Sequence, residues 1–278
     1  MNRSILIALT VSAGIVAAAG CATSSSGPPT TTSSPAPTAT TASATRPAPT
    51  SMAQLCDAQT WPRPMPGVVG QLLSQTTNVG ALACWDNIRG VAPDGHDPIN
   101  NPTRHGDVGY RITAMSPSPG TPVGRHDVVT VQLAHVDSKA APAFRPCDWV
   151  STDEAASILG APVTTYPIGD GAGSVDMSCS YTLGLGGDGI TSGLRLPGAF
   201  PVDAASQLAL AAAQPNATSV NDIGIEAECV FEPRTTPPST TLSVLLGGGR
   251  IYRATGWYSM PCDRLTPVAQ AAISRIDA

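Results

Sequence analysis

Lysine is almost missing from these 278 residues: Lys139 is the only one, and the other basic side chains are arginines and four histidines. Charged residues make up 13% of the chain and the formal net charge is −5. That leaves no basic stripe of the kind that tracks nucleic acid and no polybasic run for anionic lipid headgroups, so neither partner is expected. Aromatic residues are also scarce, at 4%. No apolar run reaches the roughly 20 residues that a membrane-crossing helix requires. The cysteines form no CxxC pair and the histidines no HxH or HxxxH pair. Thiolate zinc knuckles and short-spaced histidine sites are therefore disfavoured, and no metal or other cofactor is expected. There is no Gly-x-Ser-x-Gly elbow of the serine hydrolase kind.

What the chain does have begins at its start. Met1-Asn2-Arg3 is followed by 15 apolar or small residues, Ile5 to Ala19, and then by Gly20-Cys21. A positive start, a short apolar stretch and small residues form an export leader. A cysteine directly after Ala18-Ala19-Gly20 makes that leader resemble a bacterial lipoprotein signal. The resemblance implies cleavage after residue 20, acylation of Cys21 and attachment to the outer face of the cell membrane. Two or three acyl chains on Cys21 make such an anchor stable, since one chain alone gives only marginal binding.

Residues 21–55 are then expected to be a tether. From Ala22 to Thr50 the sequence is Ser, Thr, Pro, Ala and Gly, with Arg46 as its one charge and no aromatic residue, and it has nothing with which to build a core. As extended polyproline II, at about 3.1 Å per residue, it reaches on the order of 90 Å. Setting Cys21 aside leaves Cys56, Cys84, Cys147, Cys179, Cys229 and Cys262, an even number in an exported chain and hence an expected set of three disulfides. They divide two and four about a Pro- and Ala-containing linker at residues 139–146, which suggests two small domains, 56–138 and 147–278. Pairing within domains joins Cys56 to Cys84. The later four allow three connectivities, of which Cys147–Cys179 with Cys229–Cys262 is favoured.

In the first domain, Met65-Pro66-Gly67-Val68-Val69-Gly70 reads as a short strand turning into a helix at Gly70. Ser116-Pro117-Ser118-Pro119-Gly120-Thr121 reads as a turn, with Gly120 supplying a positive φ. Val129, Val131 and Leu133 alternate with Val128, Thr130 and Gln132, as on a half-buried strand. Residues 65–136 are thereby similar to a PASTA domain, the module of penicillin-binding proteins and of the extracellular side of Ser/Thr kinases. The resemblance implies a strand-helix-sheet fold and peptidoglycan or a muropeptide as a partner. It carries over no individual binding residue.

The second domain reads as an antiparallel sheet with packed helices, and the whole chain as α+β. Ser151 or Thr152 caps a helix that Gly160 ends, with Thr152, Ala156 and Leu159 expected on its inner face. Strands are expected at 178–182, 192–196, 226–231, 241–246 and 250–257. A second helix covers 203–213, with Ala204, Leu208 and Ala211 or Ala212 inward. A third covers 266–276, with Val268, Ala272 and Ile276 inward. Cys147, Glu154-Ala155 with Ile158-Leu159-Gly160, Cys179-x-Tyr181, the Gly247-Gly248-Gly249 hairpin and the terminal Ala271-Ala272-Ile273 resemble small cysteine-bridged domains of actinobacterial lipoproteins and of mycobacterial kinase sensors. The Ala-, Pro- and Arg-rich composition fits such a genome. The resemblance implies export and binding of an envelope component.

Candidate catalytic groups are few. Glu226 and Glu228 fall two apart on one strand, where paired carboxylates serve glycan hydrolysis, although the solvated side of a half-buried sheet is the simpler explanation. Asp170, Asp176 and Asp188 lie in glycine-rich stretches, and Gly184-x-Gly186-Gly187-x-Gly189 lacks the following Lys-Ser or Lys-Thr of a phosphate loop. His96-Asp97 and His126-Asp127 are fragments of a triad at most, and His96, His105, His126 and His135 read as exposed loop residues. The expected role is therefore a non-catalytic, membrane-anchored binding or sensing protein of the cell envelope, with a wall or lipid hydrolase as the alternative.

Overall fold

The computed structural model describes residues 49, 51–102, 109–136, 143–184 and 189–276. The leader, Cys21, nearly all of the tether, residues 139–142, His105 and Asp188 lie outside them. The described chain is mixed α+β, as expected, with five helices, three sheets and three disulfides. The disulfides are Cys56–Cys84, Cys147–Cys179 and Cys229–Cys262.

The first sheet is small. Strand β2 (Ile88–Val91) runs parallel to β5 (Val129–His135), which pairs antiparallel with β3 (Tyr110–Ser116). Val129, Val131 and Leu133 are buried and Val128 is exposed, so the period-two pattern of β5 is the pattern of its burial. They pack with Val68, Leu82, Trp85 and Ile112. Helix α1 (Met52–Asp57), capped by Ser51, is tied to this core through Cys56–Cys84. A two-residue ladder joins β1 (Arg63–Pro64) to β4 (Pro122–Val123), after the turn in which Gly120 takes φ +82°.

The strand-to-helix reading of Met65–Gly70 is corrected. Met65 exchanges backbone hydrogen bonds with Thr121 and Gly120, and Gly70 turns at φ +90° without starting a helix. Helix α2 (Leu73–Thr76) has four residues. The hydroxyls of Thr76 and Thr77 donate to the carbonyls of Leu72 and Leu73, a competition with helical bonding that ends the turn.

The second sheet has seven antiparallel strands in the order β6-β7-β8-β12-β11-β10-β9. They are β6 (Thr164–Ile168), β7 (Asp176–Thr182), β8 (Gly189–Arg195), β9 (Ala217–Ser219), β10 (Glu226–Glu232), β11 (Ser239–Leu246) and β12 (Arg250–Trp257). The edge strands β6 and β9 were not expected from the sequence. The first contains Pro167 and leaves Tyr166 and Ile168 exposed, and the second has three residues, so neither carries an alternating signal.

Helices α3 (Thr152–Leu159) and α5 (Cys262–Ile276) lie on one face, over Met177, Cys179, Tyr181, Leu242, Val244, Tyr252 and Ala254. Ser151 and Glu154 form a capping box and Gly160 closes α3 at φ +79°. Its inner residue is Ala155, with Ile158 and Leu159 beside it, while Thr152 is exposed, a correction of the expected face. Glu154 also receives both terminal nitrogens of Arg275 at 2.8 and 2.9 Å. Helix α5 starts earlier than expected and buries Leu265, Val268, Ala269 and Ala272. Helix α4 (Ala204–Ala212) lies on the other face and buries Leu210 with Ala204 and Leu208, rather than Ala211 or Ala212.

The two sheets meet across a polar seam. Gln75 receives hydrogen bonds from Val175 N at 2.7 Å and Asp176 N at 3.3 Å, and donates to Asp176 O at 2.9 Å. Arg63 donates to Pro201 O, Ala81 N to Gly198 O and Leu72 N to Gly173 O. The expected linker ends within the second core: Phe144 packs against it, and Ala143 N and Phe144 N both donate to Asp170 O.

Candidate functional site

The face of the seven-stranded sheet that carries α4 is only partly covered. Successive strands align its outward residues in rows, because the ladder register is continuous from β7 to β10. The first row is Asp176, Arg195, Ile251, Leu245 and Glu226. Its apolar members pack under Leu208 and Phe200. The second row is Ser178, Gly193, Arg253, Ser243 and Glu228, and the third Ser180, Thr191, Thr255, Thr241 and Val230. Trp257, Ser239 and Glu232 follow.

Two adjoining hollows of about 320 Å³ each open along these rows. One lies against α4 and is lined by Gln207 and Leu210; the other lies over β7, β8 and β12 and reaches Trp257. Arg195, Arg253, Thr241 and Glu232 line both, so the hollows form one groove. Gly193 is part of its construction. A Cβ there would stand 2.8 Å from Ser178 Cβ and 3.0 Å from Met177 O.

Two guanidiniums dominate the groove. Arg195 is held from three sides: Nε lies 3.2 Å from Asp176 Oδ2, an ion-pair contact off the hydrogen-bond line, Ala199 O accepts from its terminal nitrogen, and Phe200 lies beneath at 5.0 Å. Burial lowers the Arg195 pKa, Asp176 opposes that shift and the nearby Arg253 charge adds to it. Arg253 is half-buried, and its side chain has no hydrogen bond or ion pair among the described residues. The oxygen Oε1 of Gln207, on the α4 side, is buried without a partner.

No family model, curated protein or solved structure matches this chain.

The sequence candidates sit elsewhere or are occupied. Glu226 is exposed, while Glu228 is 4% exposed and accepts from Ser219 Oγ at 2.6 Å. The solvated reading therefore fits Glu226 and not Glu228, which a hydroxyl from the β9 edge makes affordable to bury. Neither glutamate lines the groove. Asp176 does line it, as the first residue of β7 rather than in a loop. Asp170 borders a separate shallow hollow beside Cys147 and Pro167.

The histidines are dispersed. His96 pairs with Asp94 at 2.6 Å, while Asp97 accepts from the backbone of Gly90, Ile99 and Asn100. His126 lies 2.9 Å from Asp86, Asp127 accepts from Gly124 N, and His135 stacks near Tyr110. Thus neither His-Asp dipeptide forms a pair of its own. Among the described residues no three His, Cys, Asp or Glu side chains are grouped to hold a metal.

Sequence reasoning missed Arg195, Arg253 and Trp257. A signal was present in β12, where Arg253, Thr255 and Trp257 alternate with buried Tyr252 and Ala254. The polar face of a strand is usually solvent, and only the ladder that brings Arg195, Thr191 and Thr241 alongside turns it into a groove.

Proposed function

We propose that this chain is a lipid-anchored extracytoplasmic protein with a non-catalytic binding role in the cell envelope. The leader and Cys21 support the address, and three disulfides suit an oxidising compartment. The observation that carries the binding role is the groove on the sheet, where a half-buried guanidinium stands without a partner among hydrogen-bonding side chains. Small-molecule and polymer sites are concave surfaces of this sort, with a few convergent polar groups. The PASTA-like sequence of residues 65–136 supports wall polymer as the partner class.

The hydrolase alternative draws less support. Its two glutamates do not share a cleft, and Glu228 is engaged by Ser219. The test uses export of the full chain with Cys21→Ser. Wild-type protein is expected in the membrane fraction and the variant free of it. The freed variant is then expected to be retained on purified insoluble wall. Release of both proteins from membranes, or failure of the variant to be retained on wall, overturns the proposal.

A further inference from the structure

We infer that the groove binds an oligosaccharide bearing an oxyanion, either carboxylate or phosphate, with Arg253 holding the anion and Trp257 serving as a platform for a sugar ring. This rests on the binding role proposed above and names the chemistry of its ligand.

Charge carries the first step. An Arg side chain presents five donors and is always protonated. The Arg253 side chain faces the open groove without a protein partner, where a carboxylate or phosphate can engage it with two parallel charge-assisted bonds. Among the described residues no acid supplies that partner: Asp176 engages Arg195, and Glu228, two strands away in the same row as Arg253, accepts from Ser219. Glu232 is four positions along from Glu228, on the order of 13 Å at the usual strand rise. Two guanidiniums within electrostatic reach therefore share one engaged carboxylate. An anion settling by Arg253 relieves their repulsion.

The rest of the lining describes what the anion is attached to. Thr191, Thr241 and Thr255 place hydroxyls along the groove beyond Arg253, the last two hydrogen-bonded to each other, while Ser178 lies in the row of Arg253 with Gly193 leaving room between them. Hydroxyls donate and accept, which suits a polyhydroxylated ligand. An acyl chain in the same place would bury the Arg253 guanidinium and the hydroxyls of Ser178 and Thr191 without hydrogen bonds, at a cost of a few kcal/mol per group. Trp257 is half-buried at the far end, four residues along β12 from Arg253. That spacing is again on the order of 13 Å, so a ligand touching both is larger than a free ion or a single sugar.

The experiment is calorimetric titration of the full mature chain with trigalacturonic acid, a singly phosphorylated maltotriose, neutral maltotriose and inorganic phosphate. At least one charged trisaccharide is expected to bind at least about tenfold more tightly than maltotriose and inorganic phosphate, and which one binds better assigns the oxyanion. Arg253→Gln is expected to weaken that binding by about tenfold or more, with Arg253→Lys intermediate, and Trp257→Ala to weaken it where Trp257→Phe does not. Should Arg253→Gln fail to fold, loss of charged but not neutral trisaccharide binding as salt is raised reads the same contact on the wild-type chain. Equal affinity for maltotriose, equal affinity for inorganic phosphate, or no effect of Arg253→Gln overturns the inference. So does the absence of binding by every charged probe at millimolar concentration. Retention on insoluble wall in spite of such a result would leave the binding role standing and its ligand chemistry wrong.

Discussion

Replacing Gln75 by Leu removes an amide of similar size from the seam between the two sheets. Gln75 makes five hydrogen bonds to residues 174–176. Ser174 Oγ keeps an alternative in Asp176 O, but Val175 N, in a residue that is 4% exposed, has only the Gln75 oxygen. A buried donor left unpaired costs about 1–3 kcal/mol, and the other bonds are worth less because their groups retain partners or reach solvent. A total of about 2 kcal/mol corresponds to a fall in melting temperature of roughly 4–8 °C for a folded region of this size. Thermal unfolding followed by far-ultraviolet circular dichroism reads that shift, and amide hydrogen exchange at Val175 reads its location. A shift below about 1 °C, with exchange at Val175 unchanged, would refute the idea that this amide fastens the sheets together.

Other perturbations follow from single contacts. Glu154 is drawn down to about 2, first by the Arg275 hydrogen bonds and then by the Ser151 backbone. Its folded pKa lies below the ordinary value, so its contribution is present above about pH 4.5 and is lost as pH falls towards 2. Its side chain is 37% exposed, so solvent screening holds the contribution to about 1 kcal/mol, and denaturant midpoints of Glu154→Gln should depend less on pH across that window than those of wild type. Gly193→Ala forces a Cβ against Ser178 and Met177 O in a central strand, and should lower stability by about 1–3 kcal/mol in urea titration. Cys229→Ala with Cys262→Ala opens a link spanning 33 residues, for which loop entropy gives about 3.7 kcal/mol; an unchanged melting temperature would contradict a structural role for that bridge.

Much of this architecture was written in local patterns. Ser151, Glu154 and Gly160 bounded α3 because caps act within one turn, and Val129, Val131 and Leu133 revealed β5 because burial alternates with the pleat. The even number of cysteines left once Cys21 is set aside pointed to bridges. The edge strands escaped because β6 and β9 bury little on either side. Helix α2 proved short because Thr76 and Thr77 return their hydroxyls to the backbone.

The groove was the least legible part. Arg195, Arg253, Thr241 and Trp257 come from three strands, and their assembly depends on antiparallel register, which no single segment encodes. Glu228 shows the converse. Its spacing from Glu226 suggested a solvated pair, but the short strand β9 covers it and brings Ser219 to its carboxylate.

Tryptophan oxidation by hydroxyl radicals, measured by mass spectrometry on the exported Cys21→Ser protein free and bound to insoluble wall, tests the assignment of binding to this sheet face most directly. Trp257 lines the groove, whereas Trp61 and Trp85 pack with the core of the three-stranded sheet and Trp149 beside α3 and α5. Binding through the groove predicts that wall protects Trp257 and leaves the other three at their free rates. Protein retained on wall with Trp257 oxidised as fast as in solution would contradict it.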